Sequence, residues 1–161
     1  MLTIKQLYEE DSQAVRAFVL NIENDEFKLD FEPHEQPDLY NLDTFYEEGG
    51  FWIARYDDVI SGTIGLQPLS SETAVIRHLF VEKEHRGKET RIAQQLFRQL
   101  LMYAKVSGYR NIYLHTPEIA VASQHFFLRN GFQQINDPLE FPTEYKFADR
   151  NSKLYHLRIL F

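Results

Sequence analysis

Residues 79–93 read LFVEKEHRGKETRIA, which combines the end of an apolar strand, a short basic loop and the start of a long helix. The strand is expected to end at Val81, where charged and polar residues begin. From Ile92 to Ala104 apolar residues recur at helical spacing, and Gly108 supplies the stop. A helix that begins directly after a loop has unpaired N–H groups and a positive dipole end, so this junction predicts a site for phosphate or pyrophosphate.

The loop itself adds positive charge through Arg86, Lys88 and Arg91, and Gly87 permits a tight turn and a close approach to a ligand. The alternative is an ordinary solvated turn, because short basic loops are common. The loop is neither a Walker P-loop nor a three-glycine dinucleotide fingerprint.

The elements on either side predict one mixed sheet covered by helices. The step from strand 73–81 through the long helix to strand 111–115 is expected to be a right-handed parallel crossover. In chain order the predicted elements are strand 3–7, a helix capped by Asp11, an acidic arm 23–48, strands 51–56, 59–66 and 73–81, the long helix, strand 111–115, a helix opening at Thr116-Pro117-Glu118 and ending at Asn130-Gly131, and strands 132–135 and 154–160. Residues 1–161 are expected to form a single domain.

Composition excludes several classes of function. The 161 residues carry a net charge of −7, which disfavours general binding to nucleic acid. The chain contains no cysteine, so disulfides, thiolate nucleophiles and Cys-ligated zinc are excluded, and the six histidines show no metal-ligand spacing. Without a signal-like or membrane-spanning apolar run, the expected location is the cytoplasm, with no membrane contact.

The 79–93 segment resembles the GNAT superfamily of acyl-CoA-dependent N-acetyltransferases, in which a hydrophobic strand precedes Arg/Gln-x-x-Gly-x-Gly/Ala at a helix start. Here the strand is Leu79-Phe80-Val81 and the loop is Arg86-Gly87-Lys88-Glu89-Thr90-Arg91. The family's downstream Phe-Tyr-x-x-x-Gly-Phe is similar to Phe126-Phe127-Leu128-Arg129-Asn130-Gly131-Phe132. The resemblance covers roughly residues 51–135 and implies a GNAT-like α/β (α+β) fold, with a mixed, mostly antiparallel central sheet and helices on both faces.

The resemblance also implies an activity and a set of site residues. Acetyl-CoA would be the cosubstrate, without a metal, and the acceptor would be the primary amine of a small molecule or peptide; the chain would act as a monomer or homodimer. Strand backbone would pair with the pantetheine arm, loop N–H groups would hold the pyrophosphate, and the downstream helix would lie near the thioester. The implied cosubstrate-binding residues are Leu79, Phe80, Val81, Arg86, Gly87, Lys88, Glu89, Thr90, Arg91, Ser123, Phe126 and Phe127.

Three departures from the family pattern concern the chemistry. Glu89 and Arg91 replace glycines, and Phe127 replaces the tyrosine that often protonates the departing thiolate. The usual strand glutamate is also missing. His78 is the candidate catalytic base because its ordinary pKa is near neutral, although strict alternation places it on the face opposite Arg77. Further candidates are Glu72, His115 and His125.

The acidic arm suggests the kind of substrate, since negative charge at an entrance would concentrate ammonium ions. The alternative is a solvated acidic surface anchored by aromatic residues. At the level of the whole chain, the leading hypothesis is direct acetyl transfer to an amine in a ternary complex. A non-catalytic acyl-CoA sensor and a purely structural interaction domain are the competing hypotheses.

Overall fold

One seven-stranded sheet organises the chain, and the computed structural model describes it over residues 1–87 and 89–160. Lys88 of the basic loop therefore lies outside the described residues. The strands, in spatial order, are β1 (Leu2–Gln6), β2 (Gly50–Tyr56), β3 (Val59–Pro68), β4 (Thr73–Val81), β5 (Asn111–Pro117), β7 (Ser152–Arg158) and β6 (Gln133–Ile135). The helices are α1 (Ser12–Leu20), the short α2 (Leu42–Phe45), α3 (Ile92–Val106) and α4 (Val121–Arg129).

The sheet is antiparallel except between β4 and β5, which α3 connects as a parallel crossover. This confirms the predicted fold class and the parallel direction of the predicted crossover. The β4–β5 pairing is short: it joins 73–75 to 111–113 and ends there. Beyond Val75 and Tyr113 the two strands are no longer paired with each other, so the sheet opens at its centre.

Alternation along β2 explains why both faces of the sheet are covered. Trp52 and Ala54 pack into a core with α3 and α4, whereas Phe51 and Ile53 pack with α1 and α2 on the other face. The α3 side is tight at Gly62, where an added Cβ would lie 2.9 Å from both Ile92 Cγ2 and Leu96 Cδ1. This close approach fixes the start of α3 against β3.

Two local predictions were wrong. The segment Thr116-Pro117 does not open a helix, because β5 continues to Pro117, paired with Ser152, and α4 begins only at Val121. Asp11 does not cap α1 with its side chain. Its carboxylate instead accepts a hydrogen bond from Tyr8 N at 2.9 Å and pairs with Arg55 at 2.7 Å.

Candidate functional site

A cavity of about 360 Å³ occupies the opening between β4 and β5. One wall is the free half of β4 from Ile76 to Val81, and the opposite wall is the end of β5 with the start of α4. The arm contributes Phe27 and Phe31, and residues 147–152 close the side next to β7. The cavity is thus assembled from four separate parts of the chain.

A β-bulge shapes the β4 wall. Thr63 pairs with Phe80 and Gly65 with Arg77, so two residues of β4 oppose one residue of β3. His78 adopts φ +56 at this bulge, and its carbonyl accepts a hydrogen bond from Thr63 Oγ1 at 2.8 Å. The bulge breaks strict alternation, so the prediction that His78 and Arg77 lie on opposite faces was wrong: both side chains reach the same carboxylate.

That carboxylate is Asp38, which is fully buried at the centre of a polar cluster. Its Oδ2 lies 2.8 Å from His78 Nε2 and 2.7 Å from the Tyr46 hydroxyl, and its Oδ1 lies 3.3 Å from an Arg77 nitrogen. Burial alone would raise the pKa of Asp38, but the charges of His78 and Arg77 and its hydrogen bonds hold that pKa well below its usual range. His78 is therefore held by Asp38 beside the cavity wall.

A second buried carboxylate, Glu23, lines the cavity itself and is only 4% exposed. Gln36 Nε2 donates to Glu23 Oε2 at 2.8 Å, while Oε1 has no hydrogen-bond partner in the protein. Burial raises the pKa of Glu23, against the opposing charge of His78 and the Gln36 hydrogen bond. Residues 21–26 form one turn of π-helix directly after α1, a local form that is frequent at functional sites.

The other candidate proton acceptors are placed differently. His115 lines the cavity, stacks on Phe147 with ring centroids 4.0 Å apart and contacts the Tyr145 hydroxyl at 2.9 Å. Burial and the charge of Arg77 lower the pKa of His115 to about 3, so the ring is neutral near pH 7. Glu72 lies at the far end of β4 beside Arg110, and His125 is exposed on α4.

Arg86 links the basic loop to the arm. Its guanidinium pairs with both oxygens of Glu26, the second at 2.7 Å, and lies over the Phe27 ring. Its Nε donates to the carbonyl of Val81 at 2.8 Å. In this conformation the Arg86 side chain therefore holds the arm against the end of β4.

The N-cap residue of α3, Arg91, does not cap the helix with its side chain. Backbone N–H donors at the start of α3 can therefore bind a ligand. Gly87 has φ +123 with open space around its Cα, and Arg91 adopts φ +52, a conformation in which glycine is favoured. The Thr90 hydroxyl donates to the His85 carbonyl and so closes the loop, while Glu89 is exposed. Arg91 therefore has a positive φ, which glycine adopts readily, although it is not a glycine.

The α4 candidates divide into two groups. Ser123 and Phe127 line the cavity, and Phe127 is 4% exposed. Phe126 instead packs toward the core, with its ring 6.2 Å from Phe97. Of the β4 and loop candidates, Leu79, Phe80, Val81 and Arg86 also line the cavity.

The arrangement can accommodate a long, thin ligand with an anionic end. The free edge of β4 can pair with an amide-containing arm as an added strand would, and the N-terminus of α3 suits an anion. No group of metal-binding side chains occurs among the described residues. The geometry therefore suits an extended ligand that follows β4 toward the cavity.

Sequence reasoning missed Glu23, Gln36 and Asp38 because all three lie in the arm, which was read as a surface. One signal was present: Glu23 follows Val19 by four residues and so continues the buried stripe of α1. Nothing in the sequence indicated that Arg150, 120 residues downstream, would reach the arm at Asp30.

Comparison with known proteins agrees with this geometry. Residues 16–132 match the acetyltransferase (GNAT) family, and the chain belongs to that family. An acetyltransferase from Streptococcus agalactiae is 31% identical and superposes with a TM-score of 0.90 over 98% of both chains. A GNAT-family acetyltransferase from Staphylococcus aureus is 27% identical, with a TM-score of 0.91 over 98% of this chain and 99% of the other.

A curated relative matches over a shorter stretch. N-acetyltransferase 8B of Rattus norvegicus is 31% identical over 90 residues, which is 53% of this chain and 40% of that protein. The chain thus spans less than half of that relative's length. None of the helices in the described part of this chain has the length and apolar character needed to cross a membrane.

Proposed function

We propose that the chain is an N-acetyltransferase that moves an acetyl group from acetyl-CoA to a primary amine by direct transfer in a ternary complex. The observation that carries the proposal is the opening between β4 and β5, where an unpaired strand edge lines a cavity, together with the start of α3, which its N-cap side chain does not cap. Family membership supports the reaction class.

Each part of the opening has a role in this proposal. Acetyl-CoA supplies the acetyl group as a thioester. The free edge of β4 near Leu79 and Val81 hydrogen-bonds the pantetheine arm, and the backbone around Gly87 and the start of α3 holds the diphosphate. The bulge at His78 leaves β4 backbone groups that β3 does not pair, and these are suited to polarising the thioester carbonyl.

The charges around the cavity favour an amine without a free carboxylate. The three arginines that line the cavity all have acidic partners: Arg77 pairs with Asp38, Arg86 with Glu26 and Arg150 with Glu35. Phe27, Phe31 and Phe147 provide apolar walls. A small alkyl or aryl amine, or the N-terminus of an apolar peptide, meets these conditions better than an acidic metabolite.

The decisive experiment measures free thiol released from acetyl-CoA with a panel of alkylamines, arylalkylamines and amino acids. We expect release that depends on the amine, greatest for apolar amines that carry no carboxylate. Thermal stabilisation by CoA with no amine-dependent release would support the acyl-CoA sensor instead. Absence of any stabilisation by CoA would contradict both hypotheses.

Gly87→Val tests the proposed diphosphate site separately from catalysis. A β-branched residue is strained at φ +123, so the loop must change its course and move its N–H groups. We expect the Kd for CoA, measured by calorimetry, to rise by about 10-fold or more, which corresponds to roughly 1.4 kcal/mol. Gly108→Val is the matched control, because Gly108 also has positive φ but lies at the other end of α3. Equal losses in both variants would contradict the site.

A further inference from the structure

We infer that Glu23 is the catalytic base of the proposed reaction and takes the proton of the substrate ammonium at its Oε1 atom, with Gln36 as its positioning residue. This inference rests on the proposed acetyl transfer to an amine. In this assignment the carboxylate of Glu23, in the arm, takes the role of the strand glutamate that this sequence lacks. His78, the candidate base from the sequence, then has a structural role through its contact with Asp38.

The geometry of Glu23 carries the inference. Glu23 lines the same cavity as the β4 bulge, and its side chain is buried. One oxygen is fixed by Gln36 Nε2 at 2.8 Å, so the carboxylate has a defined orientation. The other oxygen, Oε1, has no partner in the protein although it is buried, and such a group is costly unless a ligand satisfies it. An ammonium group is the natural partner for that oxygen.

The backbone around Glu23 points the same way. A regular continuation of α1 would give residues 21–26 an ordinary helical spacing, but they form a π-helical turn instead. Such turns are rare and recur at functional sites. The Glu23 carbonyl then accepts the Leu29 N–H at 2.9 Å, which ties the turn to the rest of the arm.

The proton balance is complete with this assignment. Glu23 removes one proton from the ammonium and later releases it to solvent. The neutral amine nitrogen forms a bond to the acetyl carbon, and the carbon–sulfur bond breaks. Of the two protons that remain on nitrogen, one is lost to the departing thiolate and the other stays on the amide, so the products are the N-acetyl amine, CoA thiol and one released proton. Burial raises the pKa of Glu23 and so brings it closer to the pH at which a base works best.

Other positions in the cavity are less suited to this role. Asp38 already has three partners and does not line the cavity. His78 Nε2 is committed to Asp38, and the lowered pKa of His115 makes its ring a weak base. Glu35 is held by Arg150 at 2.9 Å. Among the described carboxylates that line the cavity, Glu23 alone combines burial, a fixed orientation and an unsatisfied acceptor atom; the Oε1 atom of Gln36 is also unsatisfied, but an amide oxygen is too weak a base to take the proton.

The test is Glu23→Gln, which keeps the volume and keeps an oxygen that can accept from Gln36. The assay measures kcat and KM for the best amine of the panel at saturating acetyl-CoA, across a range of pH. We expect kcat to fall by about 100-fold, typical for loss of a general base, with the Kd for CoA unchanged. The wild-type kcat should level off once the pH exceeds the raised pKa of Glu23, whereas the variant should keep rising with pH until the bound amine loses its own proton.

Asp25→Asn is the matched control, because Asp25 is an exposed acid on the same π-helical turn and does not line the cavity. It should retain the wild-type kcat and pH profile. A Glu23→Gln variant with wild-type kcat and pH profile would overturn the assignment while leaving the proposed function in place. A rise in KM alone would also overturn it, since Glu23 would then only anchor the ammonium. A wild-type protein that binds CoA but acetylates none of the amines would overturn the proposed function, and this assignment with it.

Discussion

Asp38 shows how a single residue can join separate parts of the arm to a strand of the sheet. It comes from the arm, yet it is fully buried and shares its carboxylate among Tyr46, Arg77 and His78. Removing one partner from such a cluster leaves another charge buried without compensation, which costs far more than the cluster contributes as a whole. Substitution of Asp38 is therefore expected to lower the stability of the fold.

Asp38→Asn should lower the free energy of unfolding by about 3–5 kcal/mol, because the buried Arg77 guanidinium loses its counter-ion. The pH dependence should also change. The folded-state pKa of Asp38 is depressed, so its ionisation contributes stability that is fully present above its ordinary value of 3.8 and is lost as the pH falls below that value. Urea unfolding from pH 7 to pH 2 should show this acid loss in the wild type and a shallower one in the variant. Asp43→Asn, an exposed position on α2, is the control.

Residue roles were the part of the site that sequence predicted least well. The loop candidates follow from a pattern of neighbouring residues, and Leu79, Val81 and Arg86 do line the cavity. Glu23 and Asp38 were not found, because their burial depends on how the arm folds back over the sheet. Such long-range packing leaves no local periodicity, and acidic composition alone favours an exposed surface.

At the scale of elements, α4 places two adjacent phenylalanines in different surroundings. Phe127 faces the cavity, and Phe126 packs with Phe97. Their rings lie 5.4 Å apart at an interplanar angle of 80°, so the two positions share a contact but not a surface. The two positions therefore allow a test of whether the reaction needs an added proton donor, with one hydroxyl placed at the cavity and one placed away from it.

Phe127→Tyr should raise kcat, because a hydroxyl on the cavity wall can give a proton to the departing thiolate. The expected gain is a few-fold and should appear in kcat rather than in the KM for the amine. Phe126→Tyr is the matched control, since the same added hydroxyl would lie away from the cavity and should lower stability without raising turnover. Identical kcat values for wild type and Phe127→Tyr would mean that another group already performs this step.

Most elements could be predicted because strands and helices carry local periodicity: β4 is observed at the predicted residues 73–81. The error at Thr116-Pro117 has a physical cause. The sequence has the features of a helix start, but pairing with β7 extends β5 through Pro117. The bulge in β4 was equally hidden, since a non-glycine residue at positive φ has no sequence signature here.

At the scale of the whole molecule, Arg150 joins the C-terminal part of the chain to the arm. Its Nε donates to the Leu29 carbonyl at 2.8 Å, its guanidinium pairs with Glu35 at 2.9 Å, and its charge lies 4.2 Å from the centre of the Phe31 ring. The contacts bridge more than 110 residues of sequence and close one side of the cavity.

Arg150→Ala should therefore loosen the cavity without touching the β4 edge or the start of α3. We expect the KM for the amine to rise by about 10-fold, the scale of about 1.4 kcal/mol of lost binding, while the Kd for CoA stays constant. Arg129→Ala, at the exposed end of α4, should leave both values unchanged. A parallel loss of CoA affinity in Arg150→Ala would show that the two halves of the opening are not independent.

The unpaired half of β4 presents main-chain groups rather than side chains, which bears on how sequences of this fold can differ. Main-chain N–H and C=O groups are the same whatever side chain they carry, so an unpaired strand edge does not require particular residues in the sequence. Side chains along such an edge can change while the hydrogen-bonding surface persists. Two proteins can then share 31% of their residues and still superpose almost completely.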